Sequence, residues 1–287
     1  MCEICGNIEP MLYLCATPIG NLGDITLRAI ETLKAVECVY CEDTRRTREL
    51  MSHLGIKKPL IACHEHNERQ RGKEIAKRVL AGEAIAFVSD AGMPGISDPG
   101  EALVQACIRH GAPYTVLPGA SAPLTALVMS GFSTKDACFA GFLPREGKQR
   151  REEIAALCAH RGTLIFYESP LRVAATAKEL GKYFGNRKCA LVRELTKKFE
   201  QAVRTDLEGL YEKYSLEPPK GECVLVVEGA REEAFDSNRA ESMGMELIKK
   251  GISVKDASKQ LSAVFGITKN EAYSIISAIK QSMDDEA

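Results

Sequence analysis

A strand, loop and helix pattern occurs three times in the first half of the chain and restricts the folds open to it. Residues 13–38 run from a short apolar strand through a Pro/Gly loop into apolar side chains at helical spacing. The pattern recurs from residue 84, with a loop at 89–100, and from residue 114, with a loop at 118–123. This alternation predicts a mostly parallel sheet. Glycine-bearing loops at the carboxyl ends of its strands are where such a sheet binds small molecules.

None of these loops is a familiar nucleotide-binding fingerprint. A dinucleotide site needs Gly-x-Gly-x-x-Gly with an acidic residue ~20 positions later, but Gly92 and Gly95 lack the first glycine and no carboxylate lies around Ala112. No Gly-Lys-Ser/Thr follows a glycine run, which excludes a Walker loop. We expect backbone N–H and C=O groups to hold a cofactor, since glycine and alanine permit close approach. Ordinary strand-to-helix turns are the alternative.

The composition of the chain limits its number of domains, its possible partners and its location in the cell. The chain has 287 residues and is 45% hydrophobic, enough for a sizeable core and about two domains. With 38 Lys and Arg against 39 Asp and Glu, the net charge is −1, so local basic patches must hold any polyanion. No apolar run approaches the ~18 residues that span a bilayer, and the start lacks a signal pattern. We expect a cytoplasmic protein without membrane contact.

Changes in composition predict the division of the chain into domains. Residues 143–151 are polar, basic and rich in Pro and Gly, as linkers are. The strands after them have few helices between them, which predicts a mixed second sheet. Short helices joined by tight turns close the chain, and either a helix-turn-helix or a dimerisation or capping element fits them. The predicted segments are a flexible leader (1–10), an N-terminal α/β domain (11–142), a second α/β domain (143–231) and a C-terminal helical domain (232–287).

The 11 cysteines are odd in number and spread along the chain, so reduced thiols are expected. Two Cys-x-x-Cys pairs suggest zinc, but Cys38 and Cys41 lie in an alternating strand that sends them to opposite faces. Cys2 and Cys5 belong to the predicted leader, where adventitious chelation is the alternative to a disordered tail. We expect no metal centre.

Polar residues gather where the second and third strands are predicted to end. Residues 42–46 are acidic and then basic, and residues 63–68 contain two histidines. Acid, imidazole and guanidinium groups at strand ends can bind a phosphodiester and accept a proton. A helix N-cap is the alternative for Glu42 or Asp43. For His64 and His66, exposed imidazoles are the alternative to a shared metal.

Three groups of basic residues offer contacts to a polyanion, and a solvated surface is the alternative for each. The groups are Arg45, Arg46 and Arg48; Arg145, Lys148, Arg150 and Arg151; and Arg193, Lys197, Lys198 and Arg204. A serine hydrolase is a separate possibility, because Ser121 lies in a near match to the Gly-x-Ser-x-Gly elbow. Its triad would need Asp136 and His160, and Pro123 replaces the last glycine and crowds the turn.

Several motifs resemble the tetrapyrrole methylase superfamily of S-adenosylmethionine-dependent transferases. They are TPIGNLGDITL (17–27), VSDAGMPGISDPG (88–100), LPGASA (117–122), TLIFYES (163–169) and VLVVEG (224–229). EDTR (42–45), HEHNE (64–68) and RELTK (193–197) resemble the branch that methylates a cytidine ribose 2′-oxygen in the decoding region of small-subunit ribosomal RNA. The likeness covers residues 11–229, and the terminal helices resemble that branch's helix-turn-helix tail.

The resemblance implies a two-domain homodimer that binds S-adenosylmethionine in a cleft, with ribosomal RNA or the assembled small subunit as acceptor. Motif matching assigns the donor site to Pro18, Gly20, Asp90, Ala91, Gly92, Ile96, Ser121, Ala122 and Glu168. Relatives that act on corrins and siroheme have Gly-Pro-Gly-Asp in the first loop. This chain has Asn21 in place of the acid, which weakens the alternative of a tetrapyrrole substrate.

A ribose hydroxyl is a poor nucleophile until it loses its proton, so a general base would assist methyl transfer. The candidate bases, chosen by their strand-end positions, are Asp43, His64 and Glu194. Lys197 and Arg45 are the candidates for gripping phosphate or steering the hydroxyl. The sequence does not rank the three bases.

Overall fold

The computed structural model describes residues 8–230, 237–265 and 267–285. Most of the predicted leader, including Cys2 and Cys5, lies outside these residues, as do Glu232, Gly266 and the last two residues of the acidic end. The chain forms two compact units, Met1–Ala230 and Arg231–Ala287. Both sheets belong to the first unit.

The first sheet is parallel throughout, as the repeated pattern predicts. Its strand order is β3-β2-β4-β1-β5. The strands are β1 (Leu12–Cys15), β2 (Cys38–Cys41), β3 (Leu60–Ala62), β4 (Ile85–Val88) and β5 (Tyr114–Leu117). The helices that follow them are α1 (Leu27–Ala35), α2 (Thr44–His53), α3 (Glu68–Leu80), α4 (Glu101–His110) and α5 (Ala122–Ser130).

Alternating side chains of this sheet enter two separate cores. Cys38 packs in one core with Leu12 and Phe87, whereas Cys41 packs in the other with Val39. A strand turns successive side chains to opposite faces, so residues three apart cannot share one. The prediction that these two cysteines point apart is therefore confirmed.

The second sheet is mixed, also as predicted, with the order β6-β7-β10-β8-β9. Only β6 and β7 are parallel among its neighbouring pairs. The strands are β6 (Cys138–Phe142), β7 (Leu164–Glu168), β8 (Lys188–Arg193), β9 (Gln201–Asp206) and β10 (Cys223–Val227). The helices are α6 (Gly147–Leu157), α7 (Val173–Phe184) and α8 (Leu207–Tyr214).

The elements between the two sheets connect them closely. Strand β6 precedes the predicted linker at Leu143 yet pairs with β7. Helix α5 follows the first sheet, but its buried residues Ala126 and Leu127 pack with Ile165 and Val226 of the second. The second sheet thus recruits chain from before residue 143, and the domain boundaries given above stay predictions.

The second unit is helical, as the sequence predicts for the chain end. It contains α9 (Ser237–Lys249), α10 (Val254–Phe265) and α11 (Lys269–Asp285), which pack on one another. A capping box starts α11: the Thr268 N–H donates to Glu271 Oε2 at 2.8 Å, and the Glu271 N–H donates to Thr268 Oγ1 at 3.2 Å. Across the residues that the structure describes, no helix combines the length and the apolar character needed to cross a membrane.

Candidate active site

The three glycine loops meet at one edge of the parallel sheet. Strand β1 lies between β4 and β5, so the loops after these strands leave side by side. The loops are loop 1 (residues 16–24), loop 2 (89–100) and loop 3 (118–121). Thr17 and Gly92 exchange backbone hydrogen bonds of 2.9 and 3.0 Å, joining loops 1 and 2. A Cβ on Gly92 would lie 3.2 Å from Ile19 Cγ2 and 3.7 Å from the Ala120 carbonyl oxygen, so loop 3 is also in contact.

A fourth loop, the β8 loop (residues 194–200), packs against loop 1. A Cβ on Gly20 would stand 2.8 Å from the Leu195 carbonyl oxygen and 2.7 Å from Lys197 Cγ. Two residues of this loop, Glu194 and Thr196, have positive φ of 52° and 64°. Non-glycine residues adopt this conformation rarely, and such strain concentrates at functional sites. The contact between the two loops therefore depends on glycine at position 20 and on the unusual backbone conformation of the β8 loop.

The converging loops and the second sheet form an open cleft of about 650 Å³. That volume lies in the range of small-molecule sites. From the loops of the first sheet it is lined by Ile19, Ala91, Ser97, Asp98 and Ala122. From the second sheet and its loops it is lined by Phe142, Tyr167, Glu168, Ser169, Pro170, Glu194, Leu195, Lys197, Gly221, Glu222, Cys223 and Val224.

Three residues of the predicted donor site, Ala91, Ala122 and Glu168, line this cleft. Most of the other predicted residues do not line the cleft, but each is adjacent in sequence to a residue that does. They are Pro18, Gly20, Asp90, Gly92 and Ser121. Ile96 is 44% exposed and lies one residue before Ser97, which does line the cleft. The structure thus brings the predicted loops to one place and leaves the assignment of the donor site a prediction.

Glu168 is buried at the edge of the cleft and makes three hydrogen bonds within the protein. Its Oε1 accepts from the Ser169 N–H at 2.8 Å and from Arg172 Nε at 2.6 Å. Its Oε2 accepts from Thr176 Oγ1 at 2.6 Å. Because Arg150 Nη2 donates to the same Thr176 oxygen at 2.9 Å, the carboxylate belongs to a buried polar network. Glu168 therefore holds the cleft wall in place.

Lys197 and Glu194 face each other across the β8 loop. Lys197 Nζ donates to Glu194 Oε1 and to Glu222 Oε2, both at 3.0 Å. The hydrogen bond from Lys197 lowers the pKa of Glu194. Burial opposes the charge on Lys197, but its hydrogen bonds to Glu222 and Glu194 outweigh burial and raise the pKa of the ammonium. Of the predicted catalytic residues, these two line the cleft.

Asp43 and Arg45 form a local pair at the start of α2. The Asp43 carboxylate accepts from the Arg45 backbone N–H at 2.8 Å and from Arg45 Nη2 at 2.7 Å, so it is the N-cap of the helix. This confirms the capping alternative for one of the two acids at this strand end. The Arg45 side chain lowers the pKa of Asp43 to about 2. Neither residue is among those that line the cleft.

His64 lies after β3 and also lies outside the residues lining the cleft. Its backbone N–H donates to Asn67 Oδ1 at 2.9 Å, and its Nε2 is 3.4 Å from Asn67 Nδ2. The ring stands edge-on to His66, with 5.8 Å between the ring centroids. Within the described part of the chain, no group of three or more His, Cys, Asp or Glu side chains is placed to hold a metal ion.

Sequence reasoning missed Asp98 and Tyr167, although both lie in motifs quoted above. Burial, helped by the nearby carboxylates of Glu42 and Asp90, raises the pKa of Asp98 to about 6. Burial also raises the pKa of Tyr167 to about 12, and Asp98 and Glu222 act in the same direction. The available signal was the position of Asp98 in a glycine loop that follows a buried strand.

Two residues of the basic groups have partners within the protein, and one of the two is buried. Arg150 is buried, and its Nε donates to Glu179 Oε2 at 2.6 Å. Arg204 Nε donates to the Ser130 carbonyl oxygen at 2.9 Å, at the end of α5. Unpaired helix-end carbonyl groups need donors, which explains the position of Arg204. Burial makes Arg150 unavailable to a polyanion, whereas Arg204 remains exposed on β9.

The residues of the hydrolase alternative do not form a triad. His160 Nε2 lies 3.0 Å from the backbone carbonyl oxygen of Asp136, not from its carboxylate. Within residues 8–230, no hydrogen bond links His160 to Ser121, which instead is the N-cap residue before α5. A triad needs the nucleophile bonded to the base and the base bonded to the acid. The hydrolase interpretation loses its support.

Solved structures with this fold come from several methyltransferases and a synthase. Diphthine synthase superposes with a TM-score of 0.59 at 14% identity, covering 76% of this chain and 90% of that one. The methyltransferase CobJ gives 0.59 at 17% identity, with 77% and 94% covered. Uroporphyrin-III C-methyltransferase from Thermus thermophilus, complexed with S-adenosyl homocysteine, gives 0.54 at 21% identity, with 76% and 97% covered. At these identities the likeness establishes the fold alone.

Sequence relatives are closer and extend over nearly the whole chain. The ribosomal RNA small subunit methyltransferase I of Halalkalibacterium halodurans is 42% identical over 270 residues, 92% of this chain and 93% of that protein. The proteins of that name from Bacillus subtilis and Mesorhizobium japonicum are 40% and 47% identical, covering 92% and 79% of this chain and 92% and 78% of theirs. The sequence model of the family of tetrapyrrole (corrin/porphyrin) methylases matches residues 11–211 of this chain. The chain therefore belongs to the tetrapyrrole methylase family of methyltransferases.

Proposed function

We propose that this protein transfers a methyl group from S-adenosylmethionine to the ribose 2′-hydroxyl of a cytidine in the decoding region of small-subunit ribosomal RNA. The observation that carries the proposal is the match to ribosomal RNA small subunit methyltransferase I over 92% of this chain and 93% of the relative. The EDTR, HEHNE and RELTK motifs support the choice of acceptor within the family. The proposal includes a homodimer in the cytoplasm that acts on the RNA or on the assembled subunit.

The cleft suits this methyl donor in size and in chemistry. Ile19, Ala91 and Ala122 give it an apolar side, and a side chain on Gly92 would crowd Ile19 beside it. The carboxylates of Asp98, Glu42 and Asp90 lie close enough to influence one another, so this side favours a cation. When bound, S-adenosylmethionine supplies a methyl carbon activated by a positively charged sulfur.

The chain's residues would align the reactants, contact the acceptor and accept its proton. The loops align the acceptor oxygen with the methyl carbon. Lys197 and Arg45 retain their proposed contacts to the acceptor's phosphate or hydroxyl. The candidate bases Asp43 and Glu194 have lowered pKa values because cations hold their carboxylates, so each is a weak proton acceptor.

The direct test of the proposed function is methyl transfer from labelled S-adenosylmethionine to small ribosomal subunits that lack the modification. We expect label in the RNA and, after alkaline hydrolysis, in an uncleaved dinucleotide, because a 2′-O-methyl group prevents cleavage at that position. Free ribosomal RNA in a parallel reaction distinguishes the two acceptors. Label in an added porphyrinoid, with none in RNA, would instead support the tetrapyrrole alternative.

The terminal helices are proposed to hold RNA, and their removal gives a second prediction. Lys255, Lys259 and Lys269 are exposed near the starts of α10 and α11. Deleting residues 232–287 is expected to weaken RNA binding and flatten its salt dependence, with each lost phosphate contact lowering the slope by ~0.7–0.9. Filter binding from 50 to 200 mM salt measures both. The full-length protein with all three lysines changed to glutamine tests whether their charges account for the effect. Unchanged binding in both altered proteins would mean that the tail is a structural element.

A further inference from the structure

The acidic side chains that line the cleft differ in their hydrogen bonding. Glu168 accepts three hydrogen bonds, and Glu194 and Glu222 share the Lys197 ammonium. Asp98 is the exception among the cleft residues described: within residues 8–230, no group donates a hydrogen bond to its carboxylate. Its oxygens are therefore available to a substrate in the cleft.

The backbone of loop 2 fixes the position of Asp98. Ser97 before it has a φ of 61°, and Pro99 follows it. The Gly95 N–H donates to the Pro99 carbonyl oxygen at 3.1 Å, which closes the loop around Asp98. A Cβ on Gly100 would lie 2.9 Å from the Gly95 nitrogen, so the loop is tightly packed. The backbone that carries Asp98 is therefore held in position before substrate binds, which favours catalysis.

The groups facing Asp98 are predominantly acidic. Glu42 follows β2, Asp90 follows β4, and Tyr167 lies on β7. Arg46 is 3.3 Å from Asp90 Oδ2 and pairs with that carboxylate, and Lys197, which also lines the cleft, donates to Glu194 and Glu222. Burial and these acidic neighbours raise the pKa of Asp98 to about 6. A general base works best with a pKa near the working pH, and the arginine- and lysine-bound acids Asp43 and Glu194 do not meet this condition.

We propose that Asp98 is the catalytic base that accepts the proton of the ribose 2′-hydroxyl, an inference that rests on the proposed function. In the step, the ribose O–H bond breaks and the proton passes to an Asp98 carboxylate oxygen. An O–C bond forms to the methyl carbon, and the C–S bond breaks with its electron pair remaining on sulfur. The products are the methyl ether, a neutral thioether and the protonated Asp98.

The test is Asp98→Asn, compared with Glu212→Gln, which changes an exposed carboxylate on α8, away from the loops and outside the cleft. We expect kcat to fall by ~10²–10⁴-fold for Asp98→Asn, with the calorimetric Kd for S-adenosylmethionine within about threefold of wild type. The wild-type kcat/KM should rise with pH to a plateau above about pH 6, and the Asn variant should lack that rise. Glu212→Gln should match wild type in all three measurements.

Folding of the variant can be tested separately. A carboxyl whose pKa is raised in the folded state favours folding when protonated, and this contribution is lost as pH rises from about 4 to 6. Asp98→Asn should therefore melt at or above the wild-type temperature at pH 7 and match it at pH 4. An inactive but stable variant supports the proposal. If the variant melts lower at pH 7, the wild-type pH profile decides, and a kcat/KM without a rise to pH 6 overturns the role of Asp98.

Each remaining outcome also has a definite meaning. Wild-type protein that binds S-adenosylmethionine yet methylates neither subunits nor ribosomal RNA refutes the proposed function, and the inference with it. Active wild type together with an Asp98→Asn variant of undiminished kcat overturns the inference alone. A variant whose loss of rate disappears at saturating S-adenosylmethionine also overturns it, because Asp98 would then bind the donor instead of accepting the proton.

Discussion

Replacing Gly20 by alanine is expected to reduce kcat/KM for methyl transfer by roughly 10²-fold. The added Cβ would stand 2.7 Å from Lys197 Cγ, 2.8 Å from Thr196 Oγ1 and 2.8 Å from the Leu195 carbonyl oxygen. The lysine chain can move, but the backbone carbonyl cannot without shifting the β8 loop. Real Cβ atoms do not approach so closely, so loop 1 or the β8 loop must be displaced. A displacement of about 1 Å at a reacting centre costs rate on the order of 10²-fold.

Gly23→Ala is the matched control for this prediction because it lies in the same loop. Its Cβ would meet only the Asn21 side-chain oxygen, at 3.2 Å, which a small rotation relieves. Steady-state kinetics with small subunits, together with calorimetry of S-adenosylmethionine binding, measures both variants. Wild-type kinetics in Gly20→Ala would mean that the contact between loop 1 and the β8 loop does not position the reacting groups.

Local patterns were sufficient to predict the parallel sheet. Strand β5 coincides with the predicted residues Tyr114–Leu117, and β2 with Cys38–Cys41. Both are short apolar runs bounded by turn residues, and each is followed or preceded by a helical pattern. The three loops could be placed for the same reason, because loops after parallel strands leave the sheet at one edge. Which loops lie side by side depends on the strand order, in which β1 lies between β4 and β5, and the structure gives that order.

The partners of charged side chains could not be predicted in this way. In the sequence, Arg150 is one of four basic residues in a polar stretch. In the structure it is buried and pairs with Glu179, which lies 29 residues further along the chain. The contact of Gly20 with the β8 loop joins segments about 175 residues apart and depends on how the two sheets pack. Asp98 was overlooked because its significance lies in the absence of a hydrogen-bond donor in the described cleft, which no sequence motif records.

Replacing Glu168 by alanine is expected to destabilise the α/β unit by about 3 kcal/mol. Breaking a buried ion pair by removing one partner typically costs ~3–5 kcal/mol, and the lower end applies because Arg172 keeps 27% of its side-chain surface exposed. The Ser169 N–H and the Thr176 hydroxyl also lose their acceptor. At ~2–4 °C per kcal/mol for a unit of this size, the melting temperature should fall by roughly 6–12 °C.

Thermal unfolding at neutral pH measures this loss, with Glu152→Ala as the control. Glu152 is an exposed partner of Lys148 at 3.4 Å, and such pairs contribute at most about 0.5 kcal/mol. Glu168→Gln should lie between wild type and Glu168→Ala, because the amide keeps one acceptor oxygen but turns its NH₂ toward Thr176, whose oxygen already accepts from Arg150. If Glu168→Ala had the melting temperature of wild type but bound S-adenosylmethionine weakly, the carboxylate would act on the donor directly. Weak binding that appears only together with the lower melting temperature means that Glu168 supports the donor site by holding Arg172 and Thr176 in place.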